Sequence, residues 1–164
     1  TAMLEYVDGG IRDLLADLSE ADATAWQNYG IAARARGTGR IPPGSLIVAR
    51  GSVDTRPVLG LTPAAQALTL IFNAVDRGSL RAGARSDNEN LEAVSFVTPA
   101  RKLVVAMHAL ADIPVTISGL PRGRYRLVAA GPDAAGITKT HVAAQAGVLK
   151  LDARQNTTYS LTEI

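Results

Sequence analysis

Leu91-Glu-Ala-Val-Ser-Phe-Val97 and Leu103-Val-Val-Ala-Met-His-Ala109, joined by Thr98-Pro-Ala-Arg-Lys102, are short apolar runs of extended character. They follow the polar turn Arg85-Ser-Asp-Asn-Glu-Asn90 and open a series. Val115 to Ile117, Tyr125 to Ala129, Gly136 to Ala143, Val148 to Leu151 and Thr157 to Leu161 share their texture. Gly, Pro, Asn or Asp bounds each run, at spacings of about ten residues, which predicts a β-sandwich or small barrel. About 75 residues suffice for one compact antiparallel unit.

Upstream of that series the pattern differs. Asp8-Gly9-Gly10 reads as a turn, after which Ile11, Leu14, Leu15 and Leu18 recur at helical spacing. A helix is predicted from about Gly10 to Glu20, its first acids suiting a helix N-terminus. Ala23 to Ile31 reads as a short strand carrying Trp26 and Tyr29. Residues 34–44 read as loop, and Ser45 to Ala49 as another strand. Thr62-Pro63 is a strong helix start, because Thr caps free N–H groups and Pro is tolerated at the first helical position. Ala64, Ala67, Leu68, Ile71, Phe72 and Val75 then mark one face until Gly78. The expected class is α+β, mainly β, with the all-β part beginning near residue 83.

Composition agrees with a globular chain. Of 164 residues, 47% are hydrophobic and 20% charged, which excludes a disordered tail, a collagen repeat and a coiled coil. With 4% aromatic residues and 28 alanines, the core must be built from small and aliphatic side chains. The absence of cysteine excludes disulfides and thiolate metal sites. No stretch approaches the roughly 18 apolar residues of a membrane helix, and no signal-peptide pattern precedes the helix. The first residue is Thr1 rather than Met, which reads as a trimmed or truncated start.

Charge is uneven. Residues 1–30 hold six acids and one base, a balance of −5, and the remainder holds nine acids and sixteen bases, a balance of +7. The cations are mostly scattered singly. Arg122, Arg124 and Arg126 alternate, which places them on one strand face. A solvated sheet face is the favoured reading, and no nucleic-acid-binding motif accompanies it.

Together these parts resemble a known family. Ala23-Thr-Ala-Trp-Gln-Asn-Tyr29, Gly44-Ser-Leu-Ile-Val48 and the helix ending in Asp76-Arg-Gly-Ser-Leu-Arg81 are similar, in order, to the tail of a clan A glycoside hydrolase. Family 30 and its relatives are closest. Leu91 to Val97, Lys102 to Met107 and Gly123 to Leu127 are similar to that family's sandwich strands. One departure is Asp76-Arg77, which stands where an Arg-Pro pair is usual. The resemblance implies a partial (β/α)8-barrel segment over residues 1–82 and a β-sandwich over 83–164. Thr1 would lie at the end of barrel strand seven, helix 10–20 would be the seventh, and helix 62–77 the eighth.

It also implies site residues. The nucleophilic Glu of the family ends strand seven, and here Ala2 holds that place, with no chemistry to offer. Glu5 is the nearest carboxylate, three residues on. The acid/base Glu belongs to strand four, upstream of Thr1, whereas retaining glycosidases need both carboxyl groups about 5–5.5 Å apart. The isolated chain is therefore expected to be inactive. Trp26 is either a core residue or the floor of a sugar subsite. Tyr29 could stack beside it, and Gln27 and Asn28 could reach sugar hydroxyls. The implied partner is a carbohydrate and the implied location secreted or periplasmic. The alternative is a non-catalytic sandwich, structural or carbohydrate-associating.

Other chemistry is weak. His108 and His141 lack a ligand set for zinc, and Asp87, Glu89 and Glu92 lack EF-hand spacing. Gly37-Thr-Gly39 and Gly119 to Gly123 lack the strand–turn–helix context of a phosphate loop. No Gly-x-Ser-x-Gly elbow is present, and no cofactor motif is read. If helices and sheet edges lack their barrel partners, exposed apolar faces should drive self-association. Light scattering on the 164-residue chain should then show oligomers or aggregates, and a monodisperse monomer would contradict this.

Overall fold

The computed structural model describes residues 2–20, 32–34, 46–50, 58–132 and 137–164. Among them the order is α1 (Ala2–Ser19), β1 (Ala32–Arg34), β2 (Ile47–Arg50), β3 (Val58–Leu61), α2 (Pro63–Ala74) and β4 (Leu80–Ala82). Then follow β5 (Leu91–Val97), β6 (Leu103–Ala109), β7 (Ile113–Ile117), β8 (Gly123–Ala130), β9 (Ile137–Ala144), β10 (Leu149–Ala153) and β11 (Thr157–Glu163). The class is α+β and mainly β.

One sheet organises everything else. Six strands run in the order β4-β5-β6-β11-β8-β9, all antiparallel. Side chains alternate between its faces, and each face has its own cover. On one, Val94, Phe96, Val104 and Ala106 pack against Ile11, Leu14 and Leu15 of α1 and Ala64, Ala67, Leu68 and Ile71 of α2. On the other, Val105, Met107, Ala109, Tyr125, Tyr159 and Leu161 pack against Val115 of β7 and Leu149 and Ala153 of β10. β7 and β10 form a two-stranded antiparallel ribbon. A separate small sheet joins β1 to β2 in parallel and β2 to β3 antiparallel. The sandwich is thus lopsided, with helices doing for one face what the ribbon does for the other.

The end of α1 is held from outside. Its last turn carries no basic residue of its own, and free carbonyls there attract cations. Arg81 of β4 meets the need: its guanidinium donates to Ser19 O, and to Leu18 O at 3.3 Å. Arg12 pairs with Glu92 of β5 at 3.0 Å, a second tie between α1 and the sheet.

The structure changes the sequence reading at the start of the chain. The helix runs from Ala2 through Asp8-Gly9-Gly10, where a turn is predicted. Consequently Ala2 and Glu5 lie in α1, not at the end of a strand. The reason is periodic: Leu4 and Val7 precede Ile11 at spacings of three and four, so the apolar stripe crosses the glycines unbroken. Two helical glycines cost about 1 kcal/mol each. Burying Ile11, Leu14 and Leu15 contributes about 1.5–3 kcal/mol apiece, which outweighs it.

Elsewhere among the described residues the expected elements stand, with shifted ends, while the strand expected over Ala23 to Ile31 lies outside those residues. Thr62 caps α2, its Oγ1 accepting from Ala65 N at 3.2 Å, and Pro63 follows as its first residue. Ala64, Ala67, Leu68 and Ile71 of the predicted face are buried, Phe72 is half exposed, and Val75 lies just past the end of α2, partly buried. β1, β3 and β4 are additions; β4, three residues too short and too exposed to show a pattern, is held by pairing with β5. The turn between β9 and β10 needs Gly147, whose φ is +78° and whose missing Cβ would sit 3.0 Å from Leu120 O.

Tyr125 is fully buried, and its hydroxyl donates to Pro121 O at 2.7 Å, four residues back. This corner ties the β7–β8 crossover to the sheet. Burial raises the Tyr125 pKa above its ordinary 10.0, and the nearby Glu163 carboxylate adds to the shift. A raised folded-state value means that the stability is complete below pH 10.0 and is lost as pH climbs through the folded value. Tyr125→Phe should lower stability by about 1 kcal/mol at neutral pH and flatten that alkaline loss. Urea melts at neutral and alkaline pH check both parts, and an unchanged alkaline slope would contradict the assignment.

Candidate functional site

Of the sequence-derived site residues, two lie among those the structure describes. Ala2 and Glu5 fall in α1. Trp26, Gln27, Asn28 and Tyr29 lie outside the described residues. Among the described residues no group of three or more His, Asp or Glu is placed to hold a metal ion, and no helix is long and apolar enough to cross a membrane.

Two concave regions lie against the faces of the main sheet, and a further one, of about 390 Å³, lies between α1 and the segment 84–89. The first, of about 410 Å³, lies between β7 and the segment 82–88, floored by Ala93, Leu103, Val105 and Met107. Its rim is polar, with Ser86, Asp87, Asn88 and Thr116. Among the described residues β7 pairs with β10, on one side only. Pro114, exposed in the middle of β7, has no N–H to offer, and prolines in strands sit with that side toward an open edge. The edge is therefore short of donors.

The second lies on the helix side, beyond α2. A cavity of about 380 Å³ is bounded by Asn73, Asp76, Lys102, Arg126, His141 and Glu163. A neighbouring one of about 220 Å³ shares Asn73, Arg126 and Thr162 and adds Leu70, Ile137 and Lys139. Together they form a trough along α2. The register explains its charge. Arg126 lies opposite His141, and Val128 opposite Lys139. Tyr125 belongs to the ribbon-side core with Leu127 packed against it, so alternation turns Arg124, Arg126, Lys139 and His141 to the helix side. Sequence reading found one of these rows, Arg122 to Arg126, and missed the other. The signal was present in Ile137-Thr-Lys-Thr-His141, but only strand pairing shows that the rows adjoin.

His108 is fully buried, with Nδ1 2.9 Å from Thr158 Oγ1. It is a core histidine in a polar pair and faces neither cavity. Phe96, Tyr125 and Tyr159 are all buried as well. Sugar platforms need exposed rings, so these three give the sandwich no carbohydrate-stacking face.

Comparisons with solved structures give the fold a precedent. The catalytic domain of a glycoside hydrolase family 30 xylanase from Talaromyces cellulolyticus matches 99% of this chain with a TM-score of 0.75 at 12% identity. This chain has the fold of part of such an enzyme. A family 30 subfamily 8 xylanase from Clostridium acetobutylicum matches 98% of the chain, with a TM-score of 0.71 at 11% identity. A conserved exported protein from Bacteroides fragilis matches 98%, again with a TM-score of 0.71, at 13% identity. At such identities the likeness is one of fold. The chain spans only 35%, 39% and 34% of those three chains, about a third of their length. No family model and no curated protein sequence matches it.

The buried aromatics lead to a binding prediction. With Trp26 and Tyr29 changed to Ala, the 164-residue chain should migrate unretarded in native gels containing soluble xylan or glucan. Retardation of that variant would mean that the sandwich binds glycans by a surface without exposed rings.

Proposed function

We propose that this chain is the C-terminal portion of a retaining glycoside hydrolase acting on O-glycosidic bonds of carbohydrates. The observation that carries this is a single fold match running through 99% of the chain into a family 30 xylanase domain. The order of sequence features, read independently, leads to the same family. In this reading residues 1–82 belong to the closing part of a (β/α)8 barrel and residues 83–164 form its attached sandwich. The catalytic machinery of such a barrel sits at the C-terminal ends of its strands. Trp26 and Tyr29, in the segment joining α1 to the small sheet, supply the sugar platform, and Gln27 and Asn28 supply polar contacts.

The reacting groups follow from the chemistry. Retention needs one carboxylate to attack the anomeric carbon and one carboxylic acid to protonate the leaving oxygen, held about 5–5.5 Å apart. Glu5 lies in α1 rather than at a strand end, and on its own it is at most half of a pair. The isolated chain therefore binds sugar at most and hydrolyses nothing. The sandwich serves as a brace: its sheet seats α1 and α2, and so fixes the strands those helices follow. Outside residues 83–164, the exposed Leu61, Phe72 and Leu80 favour association of the isolated chain. A secreted or periplasmic location fits the reading.

The test compares the 164-residue chain with the longer polypeptide that contains it, on xylan and on β-glucan, following product anomers by NMR. The longer polypeptide should release sugars with retained configuration, and the isolated chain none. Trp26→Ala in the longer polypeptide should lower kcat/KM by about two- to tenfold, from roughly 0.5–1.5 kcal/mol of lost ring stacking. Hydrolysis by the isolated chain, or inverted product, would overturn the reading. If neither protein hydrolyses any glycan, the non-catalytic structural module takes its place.

A further inference from the structure

The smaller of the two cavities beside α2, of about 220 Å³, has a cationic side and a neutral polar side. Two cross-strand rows build the first. Thr162 lies opposite Arg126, and Arg126 opposite His141; Ser160 lies opposite Val128, and Val128 opposite Lys139. Thr162, Arg126, Ser160 and Lys139 therefore share one face of three adjacent strands. The other side comes from α2, where Thr69 and Asn73, four residues apart, lie on one helix face and border the same cavity. Asn73, Arg126 and Thr162 also border the larger cavity, so the two are continuous.

Arg126 and Lys139 are diagonal neighbours in this register, with Cβ atoms about 7–8 Å apart. Two long side chains at that separation can converge on a single carboxylate. The lining of the smaller cavity contains no acid. Asp76 and Glu163 border only the larger one, and Glu163 is engaged, its Oε2 accepting from Leu103 N at 3.1 Å. Among the described residues the ion pairs are Arg12–Glu92 and Arg154–Asp112, so neither Arg126 nor Lys139 has an acidic partner there. Cations on a sheet face are ordinarily solvated one by one. These two instead face a wall of hydroxyl and amide groups across a space one strand wide.

That combination selects a ligand by chemistry. A carboxylate suits the cationic corner, and hydroxyls on the same small ring suit Thr69, Asn73, Ser160 and Thr162, which can both donate and accept. We propose that the cavity binds a uronate residue of an acidic polysaccharide, with its carboxylate between Arg126 and Lys139. The anion site stands on the geometry of the sheet, and the choice of a saccharide rests on the glycosidase reading above. In that reading the reacting groups sit at the barrel's strand ends, so the cavity beside α2 anchors the polymer away from the bond that is cleaved. Neutral xylan and glucan carry no carboxylate and are not held here.

Calorimetric titration of the longer polypeptide with galacturonate oligomers tests this. Saturable binding is expected, and Arg126→Gln/Lys139→Gln should weaken it about fivefold, as the loss of two exposed charge pairs would, with the affinity for neutral xylose oligomers unchanged. Lys150→Gln/Arg154→Gln removes the same charge in and beside β10, and should weaken galacturonate binding less than about twofold, because exposed charges at a distance are screened. Absence of saturable binding would overturn the proposal. Equal losses in the two double variants would also overturn it, reducing the effect to the general attraction of a basic chain for a polyanion. Equal affinity for polyglutamate of the same length would overturn the saccharide and make an acidic peptide the partner. Hydrolysis assayed on the same samples separates the failures. Xylan hydrolysis without galacturonate binding removes this site alone, whereas binding that depends on Arg126 and Lys139 without any glycosidase activity keeps the site and removes the barrel reading.

Discussion

Strand β6 has no solvent side. From Val104 to Ala109 every residue is buried, and a strand buried on both faces needs two covers at once. Val104 and Ala106 demand one, and Val105, Met107 and Ala109 demand the other. The remaining architecture answers that demand. α1 and α2 supply the first cover and the β7–β10 ribbon the second. Because α1 and α2 come from the first half of the chain, the two halves share a core rather than meeting at a linker. Arg81 binds the end of α1 from β4, and Arg12 reaches Glu92 of β5. These contacts are polar and partly exposed, each contributing little, so the apolar cluster carries the attachment and the polar contacts fix its register.

The same constraint connects the sandwich to function. A barrel active site depends on where its strands end, and strands are positioned by the helices that flank them. In the proposed enzyme the sheet does not touch substrate. It holds two helices in a fixed relation, which under that proposal is a mechanical contribution to a site built elsewhere. The buried state of Phe96, Tyr125 and Tyr159 accords with that division of labour. So does the pairing of His108 with Thr158, which satisfies a buried polar group without creating a reactive one.

Much of this was legible in the sequence. β5 and β6 have the limits read from their apolar runs, because each run is cut sharply by turn residues at both ends. α2 was legible because Thr62 and Pro63 carry its start in their own chemistry. The start of α1 was not, since the local turn preference of Asp8-Gly9-Gly10 opposed a longer-range period that began at Leu4. β4 was invisible because three backbone pairings need no side-chain pattern. The basic trough was half visible: alternation gave one row, but adjacency of two strands is a tertiary fact. Ala2 and Glu5 were placed by a family pattern that requires a strand end, and the helix removed that premise.

Hydrogen exchange on the Leu14→Ala variant tests most directly whether the helices and the sheet form one core. Leu14 is fully buried against the sheet, and its truncation should cost about 2–5 kcal/mol. The predicted result is that amides of α1, β5 and β6 lose protection together and by the same factor, as parts of one cooperative unit. If α1 alone becomes labile while Val104, Val105 and Ala106 keep their full protection, the sheet stands without its helical cover, and the shared core is contradicted.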